Sequence, residues 1–238
     1  MPVPLDLDAA LRRFDAAAGA AVASGRRLLL GLAGAPGVGK STLAEELVAR
    51  ARDAHGSDVA VVLPMDGFHL ANALLVALGS RDRKGAPDTF DDAGFAALLA
   101  RVRDQRDGTI SRTGTETGRG TSTEAARART VYAPRFDREH DESIGSAVAV
   151  PAACAVVVVE GNYLLASDGA WPEAARCLDE VWHLTLPEEQ RHERLIARHV
   201  RHGMTPTAAR AWALGPDEAN AVLIDAAGAR ADVVVTLD

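Results

Sequence analysis

The residues Gly34-Ala35-Pro36-Gly37-Val38-Gly39-Lys40-Ser41-Thr42 satisfy the pattern GxxxxGK[ST], and the apolar run Leu28-Leu29-Leu30-Gly31-Leu32 leads directly into them. A buried strand, a glycine-rich turn and a helix in immediate succession leave few folds open. The glycines let consecutive backbone N–H groups turn inward around phosphate oxygens, and a helix starting near Lys40 aims its positive end at the same point. The pattern predicts a nucleoside triphosphate site: residues 34–42 cradle the phosphates, Lys40 reaches the β- and γ-phosphates, and Ser41 holds Mg²⁺.

The rest of the chain alternates in the way such a loop requires. Apolar runs at 27–32, 59–63, 155–159, 181–186 and 231–237 read as strands, and segments with helical spacing lie at 5–24, 42–54, 92–104, 188–202, 205–214 and 218–226. This predicts an α/β fold with a mostly parallel five-stranded sheet, helices on both faces, and ligands at the carboxyl ends of the strands. The length, 238 residues, suits one domain spanning 1–238. Residues 107–129 are mostly Thr, Gly, Ser, Arg and Ala and read as a mobile insertion. Residues 188–214 read as a small helical lid.

Composition narrows the partners. A net charge of −7 argues against a general nucleic-acid binder and favours small molecules. The apolar runs fall well short of the roughly 20 residues of a membrane span, and Met1-Pro2-Val3-Pro4 lacks a signal-peptide pattern, so a cytoplasmic protein is expected. Cys154 and Cys177 have no metal-ligand spacing. Among the 26 basic residues the only lysines are Lys40 and Lys84. A compact ammonium between phosphates is not replaceable by a planar guanidinium, which accounts for the first.

Two carboxylates follow strands. Asp66, in Pro64-Met65-Asp66-Gly67-Phe68-His69, stands where a general base would meet a substrate hydroxyl. Glu160 directly follows four valines and is a candidate second ligand of Mg²⁺, because a carboxylate ending an apolar strand must face a polar cleft or a cation.

The loop, the MDGF segment and the VVVVEGNY segment together resemble the family of P-loop small-molecule kinases that includes uridine kinase, phosphoribulokinase and pantothenate kinase. The likeness is closest to a bacterial nucleoside kinase-like or fructose-transport-associated branch. The resemblance implies an ATP-dependent, Mg²⁺-dependent phosphotransferase with a small hydroxyl acceptor contacted by Asp66, and dimerisation is common in the family. It also places the stretch 83–91 near the acceptor and residues 220–224 and 230–232 near the nucleotide base.

Candidate acceptor contacts are Asp66, Phe68, Arg83, Lys84, Tyr132, Arg135, Asp137 and Asn162; of these, Tyr132, Arg135 and Asp137 offer stacking, an anion-binding fork and a hydroxyl acceptor. Arg191, Arg194, Arg198 and Arg201 recur on one helical face, and Arg194 and Arg198 are the candidates for closing over the triphosphate. A regulatory NTPase or metallochaperone-type switch is the competing expectation. No Asn-Lys-x-Asp guanine-reading motif is present to support it.

Overall fold

Valines 156–159 need apolar cover on both sides, and the side-chain alternation of a strand supplies it: Val156 and Val158 enter one core, Val157 and Val159 another. All four are fully buried, each contributing about 1.5–3 kcal/mol. They form β6 (Val156–Glu160) in a computed structural model that describes residues 1–105 and 130–237.

The main sheet comprises β1 (Val3–Asp6), β2 (Leu28–Gly34), β3 (Ala60–Pro64), β6, β7 (Glu180–Thr185) and β8 (Val233–Thr236). Its order is β1-β8-β7-β2-β6-β3, and every pairing is parallel. Helices α1 (Leu7–Ser24) and α2 (Lys40–His55) pack on one face through Phe14, Leu43 and Leu47. The helices Asp92–Asp104, Trp171–Ala175 and Pro216–Ala227 cover the other through Phe95, Leu99, Trp171 and Ile224.

The five expected strands are all present; the sixth, β1, falls where the expected helix 5–24 was to begin. Pro4 lacks an N–H, which confines it to a sheet edge and masks the strand in the sequence. Asp6 ends that strand and caps α1, its Oδ1 accepting from the Ala9 N–H at 2.7 Å, so the helix begins at Leu7.

A second departure is an antiparallel hairpin of β4 (Val131–Asp137) and β5 (Glu142–Val150), expected only as a contact stretch. Most of β5 is exposed, so no burial pattern marks it. The hairpin lies on the short helical turn Met65–Phe68. A Cβ on Gly67 would stand 2.3 Å from the Pro134 carbonyl oxygen, so only glycine allows this approach. The expected insertion at 107–129 lies outside the described residues. No described helix is long and apolar enough to cross a membrane.

Candidate active site

Strand β2 ends at Gly34, and the chain turns through Gly37 (φ 85°) and Gly39 (φ 108°) before α2 starts at Lys40. Those positive φ values belong to glycine and open the backbone into an anion cradle. The Lys40 Nζ donates to the carbonyls of Gly34 at 2.8 Å and Ala35 at 3.1 Å. Burial drives its pKa down to about 8 against the pull of Glu160 and Asp66, and Arg198 and Arg138 add to the fall.

The two acids meet because their strands do. Pro64 and Glu160 are register partners, so Asp66, two residues beyond Pro64, stands beside Glu160 at the carboxyl edge of the sheet. Burial, reinforced by the Asp66 charge, pushes Glu160 up to about 7, while Lys40, Arg138 and a hydrogen bond from Ser41 act in the opposite sense. A carboxylate and a hydroxyl beside the phosphate cradle are hard oxygen donors, and they fit Mg²⁺.

Asp66 itself is held below the usual carboxylate range. Burial opposes its charge, but His69, Arg138, Lys40 and Arg198 outweigh it. His69 contributes only when protonated, and its own burial disfavours that form. The permanent cations therefore dominate at neutral pH. The His69 Nδ1 lies 2.9 Å from the Asp66 carbonyl, which can only accept, so Nδ1 holds the proton and Nε2 presents a lone pair.

Two cavities meet at this point. One, about 300 Å³, is bounded by Asp66, His69, Lys84, Arg138, Arg198 and Asn220 among others. The second, about 470 Å³, reaches Ser41, Glu160 and Arg135. Asp66 and Arg138 line both. A third cavity, about 790 Å³, borders the loop at Ala35 and Val38 and is flanked by Leu186 and Arg191.

The structure gathers some expected acceptor contacts and disperses others. Asp66, Lys84 and Asn162 line the smaller cleft, and Arg135 lines the second cavity. Lys84 is already engaged, by Asn72 Oδ1 at 2.8 Å and the Asp141 carbonyl at 2.7 Å, which ties it to the hairpin turn. Arg83 instead turns outward to pair with Asp88. Phe68 packs edge-on against Phe95 at 5.2 Å, in the core. Tyr132 stands exposed opposite Ala149 on β5. Asp137 caps the hairpin turn, accepting from the N–H groups of Glu139 and His140 at 2.9 and 3.0 Å.

The arginine stripe on the helix Glu188–Arg201 divides in the same way. Arg198 enters the cleft, Arg194 is exposed, and Arg191 is buried beneath the loop, where it reaches the Pro36 carbonyl at 3.5 Å and pairs with Glu218. The sequence alone did not single out Arg138, the residue after Asp137, and placed Asn220 near the nucleotide base only through the resemblance. Asn220 is only 7 % exposed and lies on the cleft wall with Asp66. Arg230 bonds the Leu165 carbonyl instead.

Comparisons with known proteins bear on the fold and the family. The family model of the methylmalonyl-CoA mutase-associated GTPase MeaB matches residues 16–68, the part that contains the loop and Asp66. An ATP-dependent kinase-like protein, notR', of Aspergillus versicolor is 32% identical over 151 residues, 62% of this chain and 77% of that protein. The uncharacterised protein YggC of Escherichia coli is 31% identical over 212 residues, 89% of this chain and 78% of its own length. A solved structure from Silicibacter sp. TM1040, provisionally described as a fructose transport system kinase, shares 39% identity with a TM-score of 0.70, covering 89% of this chain and 90% of that one. The fold and the site define a P-loop nucleotide-binding protein. The chain belongs to the P-loop kinase family of these relatives, in the uridine kinase-like, fructose-transport-associated branch.

Proposed function

We propose that this chain is an ATP-dependent phosphotransferase that moves the γ-phosphate of MgATP to a hydroxyl of a small molecule seated in the 300 Å³ cleft. The observation that supports this reading above others is the position of Asp66, on the boundary between the cavity lined by Ser41 and Glu160 and the cleft beyond it. Bound MgATP would supply the phosphoryl group and the divalent charge that neutralises it.

The chain's own residues do the rest. The loop N–H groups and Lys40 hold the phosphates, and Ser41 and Glu160 hold the metal. Asp66 accepts a hydrogen bond from the attacking hydroxyl and then its proton, while Arg198 balances charge on the transferring group. The 790 Å³ cavity beside Ala35 and Arg191 offers room for the base.

The MeaB match favours a second reading, a regulatory NTPase acting on a protein partner. ADP release from MgATP across nucleosides, sugars, polyols and hydroxy acids separates the two. Release that depends on one class of acceptor and is lost in Lys40→Ala supports transfer. Nucleotide binding with no response to any acceptor, and GTP preferred over ATP, would sink it.

A further inference from the structure

The cleft wall holds more cation than its acids can match. Three carboxylates face it, Asp66, Asp141 and Asp217, and two are already engaged. Asp217 lies 2.7 Å from His199 Nε2, and Asp141 is held by Arg81 at 2.7 Å and Lys84 at 3.2 Å. Lys84 directs its other contacts at Asn72 and the Asp141 carbonyl, so it has no donor left for a ligand.

Among the described residues Asp66 is the one carboxylate within ion-pair distance of either remaining guanidinium, while Asp217 and Glu160 act on them from farther off. Arg138 meets it at 3.6 Å, a single long contact and not a paired fork. Arg198 has no carboxylate among the described residues within ion-pair distance, although it is half-buried. Withdrawing the Arg198 guanidinium from water without a counter-ion is costly, so it awaits negative charge; Arg138 is exposed at the cleft mouth and, held by one long contact, keeps the rest of its fork free for a ligand.

The γ-phosphate accounts for one of them. Arg198 shares its helix with Arg191, which already touches the loop at Pro36, and it belongs to the phosphate side. Arg138 projects from the hairpin into both cavities and is left over. Asn220 adds an independent sign of a ligand: its amide is nearly buried, lines the cleft, and makes no hydrogen bond to the described residues. An amide both donates and accepts, which suits a hydroxyl.

Building on the phosphotransferase reading, we propose that the acceptor is an anion, a small hydroxylated carboxylate or phosphate ester, and that Arg138 binds its charged group while Asn220 binds a hydroxyl. Neutral nucleosides and free sugars lack the group this arginine requires.

The test begins with binding, independent of turnover. Inorganic phosphate and malonate are titrated into the full chain saturated with Mg²⁺ and a non-hydrolysable ATP analogue, so that the γ-phosphate position is filled. Trp212 lines the cleft, whereas Trp171 and Trp182 are buried, so tryptophan fluorescence reports the site alongside calorimetry. One-to-one binding is expected, weakened about tenfold or more in Arg138→Gln and largely recovered in Arg138→Lys. No saturable binding beyond a chloride control overturns the proposal, and binding that Arg138→Gln leaves unchanged marks an adventitious ion only.

A second arm compares turnover of matched pairs: glycerate with glyceramide, gluconate with glucose, fructose 6-phosphate with fructose. These also separate carboxylate from phosphate recognition. A neutral member used as well as its anionic partner overturns the anion inference and leaves phosphotransfer standing. Anion binding without any acceptor-dependent ADP release overturns phosphotransfer and leaves the anion site standing.

Discussion

Asp66 and Arg138 face each other at 3.6 Å across the boundary of two cavities, the carboxylate on a turn that ends β3 and the guanidinium on the hairpin above it. The contact joins the part of the molecule that grips phosphate to the part that grips whatever receives it. Replacing the carboxylate by an amide keeps the shape and removes the proton acceptor. Asp66→Asn is expected to bind MgATP with affinity near that of the parent and to lose about 10²-fold or more of acceptor-dependent ADP release. Calorimetry and steady-state kinetics on the same preparation check this, and equal turnover would remove Asp66 from the chemistry.

Gly67 sets how closely the hairpin can settle. A methyl there meets the Pro134 carbonyl, and backbone cannot swing aside as a side chain can. Gly67→Ala should cost about 1–3 kcal/mol and lower Tm by roughly 2–4 °C for each of those. The KM for the acceptor should rise while the MgATP Kd stays put; a variant with unchanged KM and Tm would show that the hairpin is not seated against this turn.

Lys84 fastens the far end of the same hairpin. With Lys84→Met, Asn72 and the Asp141 carbonyl lose their shared donor, at about 1–3 kcal/mol. Amide hydrogen exchange across 137–142 should accelerate, with the phosphate-loop amides unaffected. Unaltered exchange at the turn would count against the tether.

The acids and the lysine of the loop give a pH signature with a definite sign. Glu160 is raised from 4.5 to about 7, so the folded protein retains a proton that the unfolded chain releases between those values. Its contribution is complete below about 4.5 and is lost as pH rises through about 7. Lys40, lowered from 10.5 to about 8, has the opposite slope: stability recovers as pH rises from about 8 toward 10.5. A shallow minimum near pH 7–8 is expected for the metal-free protein. Glu160→Gln should abolish the fall and raise Tm at pH 8 by roughly 2–4 °C per kcal/mol relieved. Mg²⁺ with nucleotide should stabilise the parent more at pH 8 than at pH 6, and the variant little at either; a flat profile for the parent would contradict the buried Glu160.

The phosphate-gripping half was legible in the sequence because its residues lie close along the chain or directly end strands. The loop is contiguous, and Asp66 and Glu160 follow β3 and β6, whose pairing aligns them. The cleft half was not, because Arg138 and Asn220 reach Asp66 only through tertiary packing. The β5 strand is too exposed to betray itself by alternation. The arginine stripe shows where periodicity falls short. At about 100° per residue, Arg191 and Arg198 return to nearly the same azimuth, whereas Arg194 lies about 60° away, and that offset separates burial from exposure. Tyr132 and Asp137 had suitable chemistry but belong to the hairpin's outer side and its turn.

Both lysines of this chain are withdrawn from the surface, Lys40 at 8% exposure and Lys84 at 9%. The described outer surface is thus almost bare of primary amines. Enzymes that write on lysine, by acetylation or ubiquitin transfer, find no ready substrate on the folded form. Among lysines, an amine-reactive probe carried in on a nucleotide would meet Lys40, with no surface lysine to dilute the signal.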